Sequence, residues 1–357
     1  MKSYKHLYED LISTENIWAA MYFATHGHMK RKIFKNMKEN PDKYVERVRN
    51  WIIHYQPQQH TPKTINDGIS MKQREIIVPT TVEHVVQHAV MIVLKPIFMR
   101  GMYEHSYASI PRRGCHNGMK TVKKWTQKKR NKNVKYCLKI DIRKYFDSIS
   151  QDILIEKLSK KIHDEKFMEL LIKIIRTTDH GIPLGFYTSQ WFANFYLQDF
   201  DHFVKEQLHI KHYIRYMDDM VFFGSNKRKL HTAFDRIKEY LRQNLCLEIK
   251  DNWQLFLFDD GNGSGRFLDF MGFRFYRNRV TLRRRMAMKA MRKANKLYKK
   301  TSITVLDAQQ MLTYKGWTLC TDTYNWLKKY ILSKISFSAL RKLISRSNLK
   351  RRLAYVV

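Results

Sequence analysis

Two adjacent carboxylates, Asp218 and Asp219, stand between the apolar runs 212–216 and 220–223, and this arrangement limits the fold more than any other stretch of the chain. Strand-forming residues on both sides of so short a polar break read as a β-hairpin, with the acids at its tip. Hard divalent ions take oxygen ligands, so a tip of this kind can present a metal site. Phosphoryl transfer by two such ions needs carboxylates that clamp both the attacking and the leaving oxygen. A third acid is available in Cys137-Leu-Lys-Ile-Asp-Ile-Arg-Lys-Tyr-Phe-Asp147, where Leu138, Ile140 and Ile142 alternate with Lys139 and Asp141. That period of two predicts a half-buried strand with Asp141 on the face opposite the apolar one. If this strand lies beside the hairpin, Asp141 and Asp218 converge on shared magnesium ions, the carbonyl of Ile142 is a further ligand, and Asp219 takes a supporting position. The other Asp-Asp pair, Asp259-Asp260 before the glycine-rich residues 261–265, has no such strands around it and reads as a solvated turn.

Further blocks fall in order around these acids. Lys72-Gln-Arg-Glu-Ile-Ile-Val-Pro79 precedes a helical pattern through Val85, Val86, Ala89 and Val90, and Ser106-Tyr-Ala-Ser-Ile-Pro-Arg-Arg-Gly-Cys-His116 follows it. After the Asp141 strand come Gly181-Ile-Pro-Leu-Gly-Phe-Tyr-Thr-Ser-Gln190, the Tyr216-Met-Asp-Asp219 tip, residues 245–250, and Phe270-Met-Gly-Phe-Arg-Phe275. Taken together they resemble the fingers blocks and palm motifs A to E of bacterial reverse transcriptases, over nearly the whole chain. The resemblance implies an α+β right-hand polymerase: fingers in 1–135, a palm of antiparallel sheet backed by helices in 136–280, and a helical thumb in 281–357. It implies an RNA-directed DNA polymerase using two Mg2+ ions, with Mn2+ as the substitute, on deoxynucleoside triphosphates.

Roles follow position by position from that likeness. Asp141, Asp218 and Asp219 are the catalytic carboxylates, and Lys250 is the lysine that would protonate the leaving pyrophosphate. Lys72, Arg74 and Arg113 would cradle the triphosphate, the arginines as two-pronged forks and the lysine as a point charge. Phe146 would pack on the sugar and exclude a 2′-hydroxyl, with neighbouring Tyr145 as the alternative register. Leu184, Gly185 and Gln190 would flank the nascent base pair. Ser189, Tyr216, Met217, Gly272 and the arginines Arg283, Arg284 and Arg285 would meet primer and template.

Motif B departs from the commoner pattern: Leu184 stands where a glutamine precedes the glycine, and the block ends Ser189-Gln190. This variant is similar to the reverse transcriptases of diversity-generating retroelements and of related phage-defence systems. Apolar pockets discriminate less well than hydrogen-bonded ones, so error-prone copying of a cognate structured RNA is expected, with a small basic accessory protein oligomer as partner. The alternatives are a phage-defence enzyme that makes cDNA from a noncoding RNA or untemplated DNA, and a catalytically silent RNA-binding scaffold.

Charge points the same way. The 357 residues carry 67 Lys+Arg against 32 Asp+Glu, a formal +35, which calls for a polyanionic partner such as template RNA and the cDNA/RNA duplex. A hydrophobic share of 44% implies a packed core rather than a basic tail. The four cysteines lack zinc spacing and read as free thiols. Residues 85–99 look too short and interrupted to span a bilayer and no leader is evident, so a cytoplasmic, membrane-free protein is expected. Thr81 is the expected N-cap of the helix after Pro79, further helices are expected near 151–162, after motif B and over 230–243, and the basic run 283–300 predicts a phosphate-facing thumb helix. His26-Gly-His28 reads as a surface turn, and the residues after Arg283 lack the acid cluster of an RNase H domain and the Cys/His pairs of a zinc endonuclease.

Overall fold

The structure, a computed structural model, describes residues 3–26, 32–66, 73–128 and 131–353, with the side chains of 66 and 349–353 left aside. Lys72, Gly27 and His28 therefore lie outside the described residues. The chain begins with helices α1 (Leu7–Ile12), α2 (Thr14–Thr25), α3 (Lys32–Glu39) and α4 (Pro41–Ile53), then strands β1 (Lys63–Asn66) and β2 (Gln73–Ile76), and helices α5 (Thr81–Arg100) and α6 (Cys115–Gln127). Next come β3 (Tyr136–Asp141), α7 (Tyr145–Ser148), α8 (Gln151–Ser159), α9 (Glu165–Ile175), α10 (Tyr187–Tyr196) and α11 (Gln198–His202), the last running into a π-helical turn at Phe203–Gln207. The hairpin β4 (His212–Tyr216) and β5 (Asp219–Gly224) is followed by α12 (Lys227–Leu245), β6 (Gln254–Leu257), β7 (Leu268–Phe270), β8 (Phe273–Phe275) and β9 (Val280–Leu282). The chain closes with α13 (Arg284–Tyr298), α14 (Val305–Leu319), α15 (Tyr324–Leu327) and α16 (Phe337–Leu353). Strands β4-β5-β3-β6 make one sheet in that order, and β1-β2 and β7-β8-β9 are antiparallel sheets of their own.

Two compact units emerge. The first comprises Met1–Pro111, Lys139–Val221 and Arg228–Gln254; the second comprises Arg112–Leu138, Phe222–Lys227 and Leu255–Val357. The core helix of the first unit is α5. Its N-cap is Thr80 rather than Thr81: the Thr80 hydroxyl accepts from the Glu83 amide while the Glu83 carboxylate accepts from the Thr80 amide, a reciprocal box that Thr81 is one residue too late to make. The helix runs 20 residues, so it is long and apolar enough to cross a membrane by length and composition, contrary to the sequence-based expectation; more than half of that stretch is buried. It packs on α2 and α10, and Phe98 stacks on Phe195 with ring centroids 4.5 Å apart.

The expected single helix after motif B is instead α10 and α11, interrupted at Leu197, where ψ opens to 4°. Motif E is a hairpin, β7 to β8, turning on Met271 and Gly272 with φ of 51° and 87°. In the second unit Ala290, Ala294 and Leu297 of α13 pack with Met311, Ile331 and Leu340 into a separate apolar core. The second Asp-Asp pair divides: Asp260 is a solvated turn that accepts from Asn262 and Ser264, but Asp259 accepts from the Arg277 amide at 2.7 Å and is structural.

Candidate active site

In β3 the burial alternates as the sequence predicts, with Leu138, Ile140 and Ile142 buried and Lys139 and Asp141 half-buried on the other face. Asp218 sits in the two-residue turn of the β4–β5 hairpin beside Met217, which takes a left-handed φ of 59°. These elements bring the Asp141 and Asp218 side chains within reach of one another. Burial first, and then the charge of Asp141, push the Asp218 carboxyl up to about 6. Asp219 opens β5 and points to Lys139, with Nζ to Oδ2 at 3.4 Å. Burial lifts its carboxyl to about 7 against the pull of Lys139, and its Oδ1 is buried without a hydrogen-bond partner.

Among the described residues no three His, Cys, Asp or Glu side chains are already gathered around one point. The donor set still suits a hard divalent ion. Two carboxylates face each other with unfavourable like charge, a third carries an unsatisfied buried oxygen, and all ligating atoms are oxygens. Ile142, whose carbonyl is the expected further ligand, directly follows β3. It bridges Ile249 antiparallel, and the bonds there are made by its neighbours, Arg143 N to Glu248 O at 2.8 Å and Lys250 N to Asp141 O at 2.8 Å. In such a pair the intervening residue directs its own carbonyl away from the bridge. The same bridge delivers Lys250, whose ammonium is hydrogen-bonded to Asp141 Oδ1.

Around this centre Tyr145 and Phe146 differ in burial. Tyr145 is 3% exposed and its hydroxyl donates to Ala193 O at 2.6 Å, whereas Phe146 is half-buried one position on. The Phe146 carbonyl accepts from Ile182 N at 2.9 Å, which fixes motif B against motif A. Leu184 is half-buried and its carbonyl accepts from Ile77 N at 2.7 Å; Gly185 follows at φ 117°, where any β-carbon would strike the Ile77 carbonyl. Gln190 is exposed. Arg74 lies exposed on β2 in the first unit, while Arg113 lies in the second, just before α6.

Four of the residues assigned to primer and template are buried or engaged within the chain. Ser189 is 1% exposed on the packed face of α10, and the Met217 side chain is 8% exposed, so neither presents its side chain outward. Gly272 is buried where a β-carbon would meet Met286 and Trp317, which makes it a packing glycine. Arg283 is committed to Asp269, with Nε to Oδ1 at 2.6 Å. Tyr216 is half-buried, and Arg284 and Arg285 are exposed. The basic run is also less unopposed than its sequence suggests, because Lys293 and Lys300 both bond Asp307.

Sequence reasoning missed a buried network under the hairpin. Arg215 is fully buried; its Nε and Nη2 donate to Asp201 at 3.0 and 2.7 Å, and its Nη1 donates to Asn194 Oδ1 at 3.0 Å. An arginine inside the apolar run of β4 is the available signal, but nothing in the sequence pairs it with Asp201.

An acid pair at a strand end and a hairpin tip, backed by helices, is the arrangement of a nucleotidyl-transferring palm. The chain belongs to the reverse transcriptase (RNA-dependent DNA polymerase) family, whose model matches residues 62–257. Protein YkfC of Escherichia coli (strain K12) is 27% identical over 168 residues, 43% of this chain and 43% of that protein. Group II intron-encoded protein LtrA of Lactococcus lactis subsp. cremoris is 26% identical over 242 residues, 65% of this chain and 39% of LtrA. The match thus spans about two fifths of each relative's length. Apo telomerase from Candida tropicalis superposes with a TM-score of 0.50 at 13% identity, over 87% of this chain and 64% of that one, and shares the right-hand polymerase fold.

Proposed function

We propose that the chain is an RNA-directed DNA polymerase in which Asp141 and Asp218 hold two Mg2+ or Mn2+ ions. The juxtaposed carboxylates of these residues, in a member of the reverse transcriptase family, carry the reading. Bound ions would neutralise the transferring phosphoryl group and the attacking 3′-hydroxyl oxygen. The remaining work falls to the chain itself. Asp219, held by Lys139, supports the turn; Lys250 stands beside Asp141 as a proton donor for pyrophosphate. Half-buried Phe146 closes the sugar side against a 2′-hydroxyl, since Tyr145 is already engaged with Ala193. Arg74 and Arg113 serve the triphosphate, Leu184, Gly185 and Gln190 the nascent pair, and Tyr216, Arg284 and Arg285 the primer and template.

In this reading residues 1–135 act as fingers, 136–280 as palm and 281–357 as thumb, in the cytoplasm. The aliphatic Leu184 beside the nascent pair supports the diversity-generating subtype, with adenine-directed errors on a cognate structured RNA and a basic accessory protein oligomer. The test is a substrate profile: purified protein with RNA or DNA template, deoxy- or ribonucleotides, and sequencing of the products. RNA-templated deoxynucleotide incorporation with errors concentrated opposite adenine supports the full reading. Uniform errors remove the diversifying role, and untemplated products favour the defence alternative.

A further inference from the structure

Arg215 is placed where no solvent-facing role is open to it. Its main chain is stitched to the segment before the second unit, with Arg215 N donating to His105 O at 3.0 Å and Tyr107 N donating to Arg215 O at 3.0 Å. Its side chain spreads in three directions. Nε and Nη2 grip the carboxylate of Asp201 on α11, Nη1 reaches Asn194 on α10, and the same Nη1 lies 3.3 Å from the carbonyl of Met217 in the turn that carries Asp218.

Each partner is held in turn. Asp201 Oδ1 also accepts from the Tyr213 hydroxyl at 2.7 Å. Asn194 donates to Ala108 O at 3.0 Å and to Gln190 O at 3.2 Å, and Ser106 Oγ donates to Asn194 Oδ1 at 3.4 Å. Arg215, Asp201 and Asn194 are all 0% exposed.

A buried ion pair is poor evidence of stability, because desolvation of two charges offsets their attraction and apolar pairs of equal volume often serve as well. What apolar residues cannot supply is direction. A guanidinium has five donors in a fixed plane, so anchoring Nε, Nη2 and one Nη1 hydrogen on Asp201 and Asn194 fixes where the other Nη1 donor points. That donor meets Met217 O, one peptide from Asp218, at a residue whose left-handed φ needs outside support.

We propose that Arg215 is the positioning residue of the catalytic turn: the Asp201–Arg215–Asn194 network holds the Met217 peptide so that Asp218 faces Asp141. The proposal rests on the metal-binding role assigned above to these two acids. It makes Arg215 a determinant of metal affinity and turnover, with little influence on nucleotide affinity. Because the network includes α10 and the 105–108 segment, a shift in either is felt at Asp218.

The test compares wild type with Arg215→Met/Asp201→Leu, which exchanges the ion pair for apolar side chains, and with Arg215→Lys, which keeps the charge but not the fork. Circular dichroism and RNA binding report folding. Mn2+ binding by electron paramagnetic resonance, without nucleotide or template, reports the site independently of turnover. The expected result is a folded double variant with Mn2+ affinity at least tenfold weaker, kcat at least a hundredfold lower and KM for deoxynucleotide within about threefold. Arg215→Lys should be intermediate on the first two readouts. A folded double variant with wild-type Mn2+ affinity and kcat overturns the proposal; if the double variant does not fold, wild-type behaviour of Arg215→Lys does so. If wild type itself binds Mn2+ but does not polymerise, the enzymatic reading fails while the Mn2+ comparison still decides this one.

Discussion

Asp218 and Asp219 are carboxylates kept where ionisation is unfavourable, with values near 6 and 7 in place of about 3.8. A carboxyl whose folded value lies above its unfolded one destabilises the folded chain when pH exceeds the folded value, and the penalty fades as pH falls toward the unfolded value. Asp218→Asn and Asp219→Asn should therefore raise the melting temperature in EDTA at pH 8, by on the order of 2–5 °C, and the gain should vanish near pH 4.5. Scanning calorimetry across that range checks it; an equal gain at both ends contradicts it. Phe146→Ala should raise ribonucleotide incorporation relative to deoxynucleotide by at least about tenfold, since loss of the ring opens room for one hydroxyl. At this scale the sequence was readable wherever alternation exposed an acid on a strand, as at Asp141. It was not readable for Lys139 against Asp219 or Arg215 against Asp201, whose partners meet only after folding.

The β4–β5 hairpin and the strand beside it were legible as elements because each couples an apolar period of two to a polar break. Helix ends were less so: two threonines in a row compete for one cap, and only the position of Glu83 three residues after Thr80 decides between them. The break at Leu197 between α10 and α11 has no glycine or proline to announce it. Gly185 is the element-scale weak point, because its left-handed φ and the Ile77 carbonyl leave no space for a side chain. Gly185→Ala should lower stability by about 1–3 kcal/mol through backbone strain alone, with added cost from the contact. Urea denaturation with an unchanged m-value would show it, and a variant as stable as wild type would show that the motif B loop can move away from Ile77.

The molecule as a whole is strongly basic, and RNA affinity should fall about a thousandfold or more between 50 and 200 mM salt if six or more phosphates are neutralised. The second unit carries a pH dependence of its own. Lys293 and Lys300 bond Asp307 and hold its carboxyl well below the usual range, so the stabilisation is present above an ordinary carboxylate value and is lost as pH falls through the depressed one. Asp307→Asn should cost melting temperature at pH 7, with the difference from wild type closing below about pH 3. The fold class was legible from motif order, whereas the division of the chain into two units was not, because each unit is assembled from three separated stretches. The proposed nucleotidyl transfer depends on Asp141 and Asp218 together. RNA-templated primer extension by Asp141→Asn and Asp218→Asn, with RNA binding measured alongside, tests it most directly. Incorporation should fall at least a thousandfold in both variants while RNA affinity stays within threefold, and incorporation within tenfold of wild type in either variant would contradict the account.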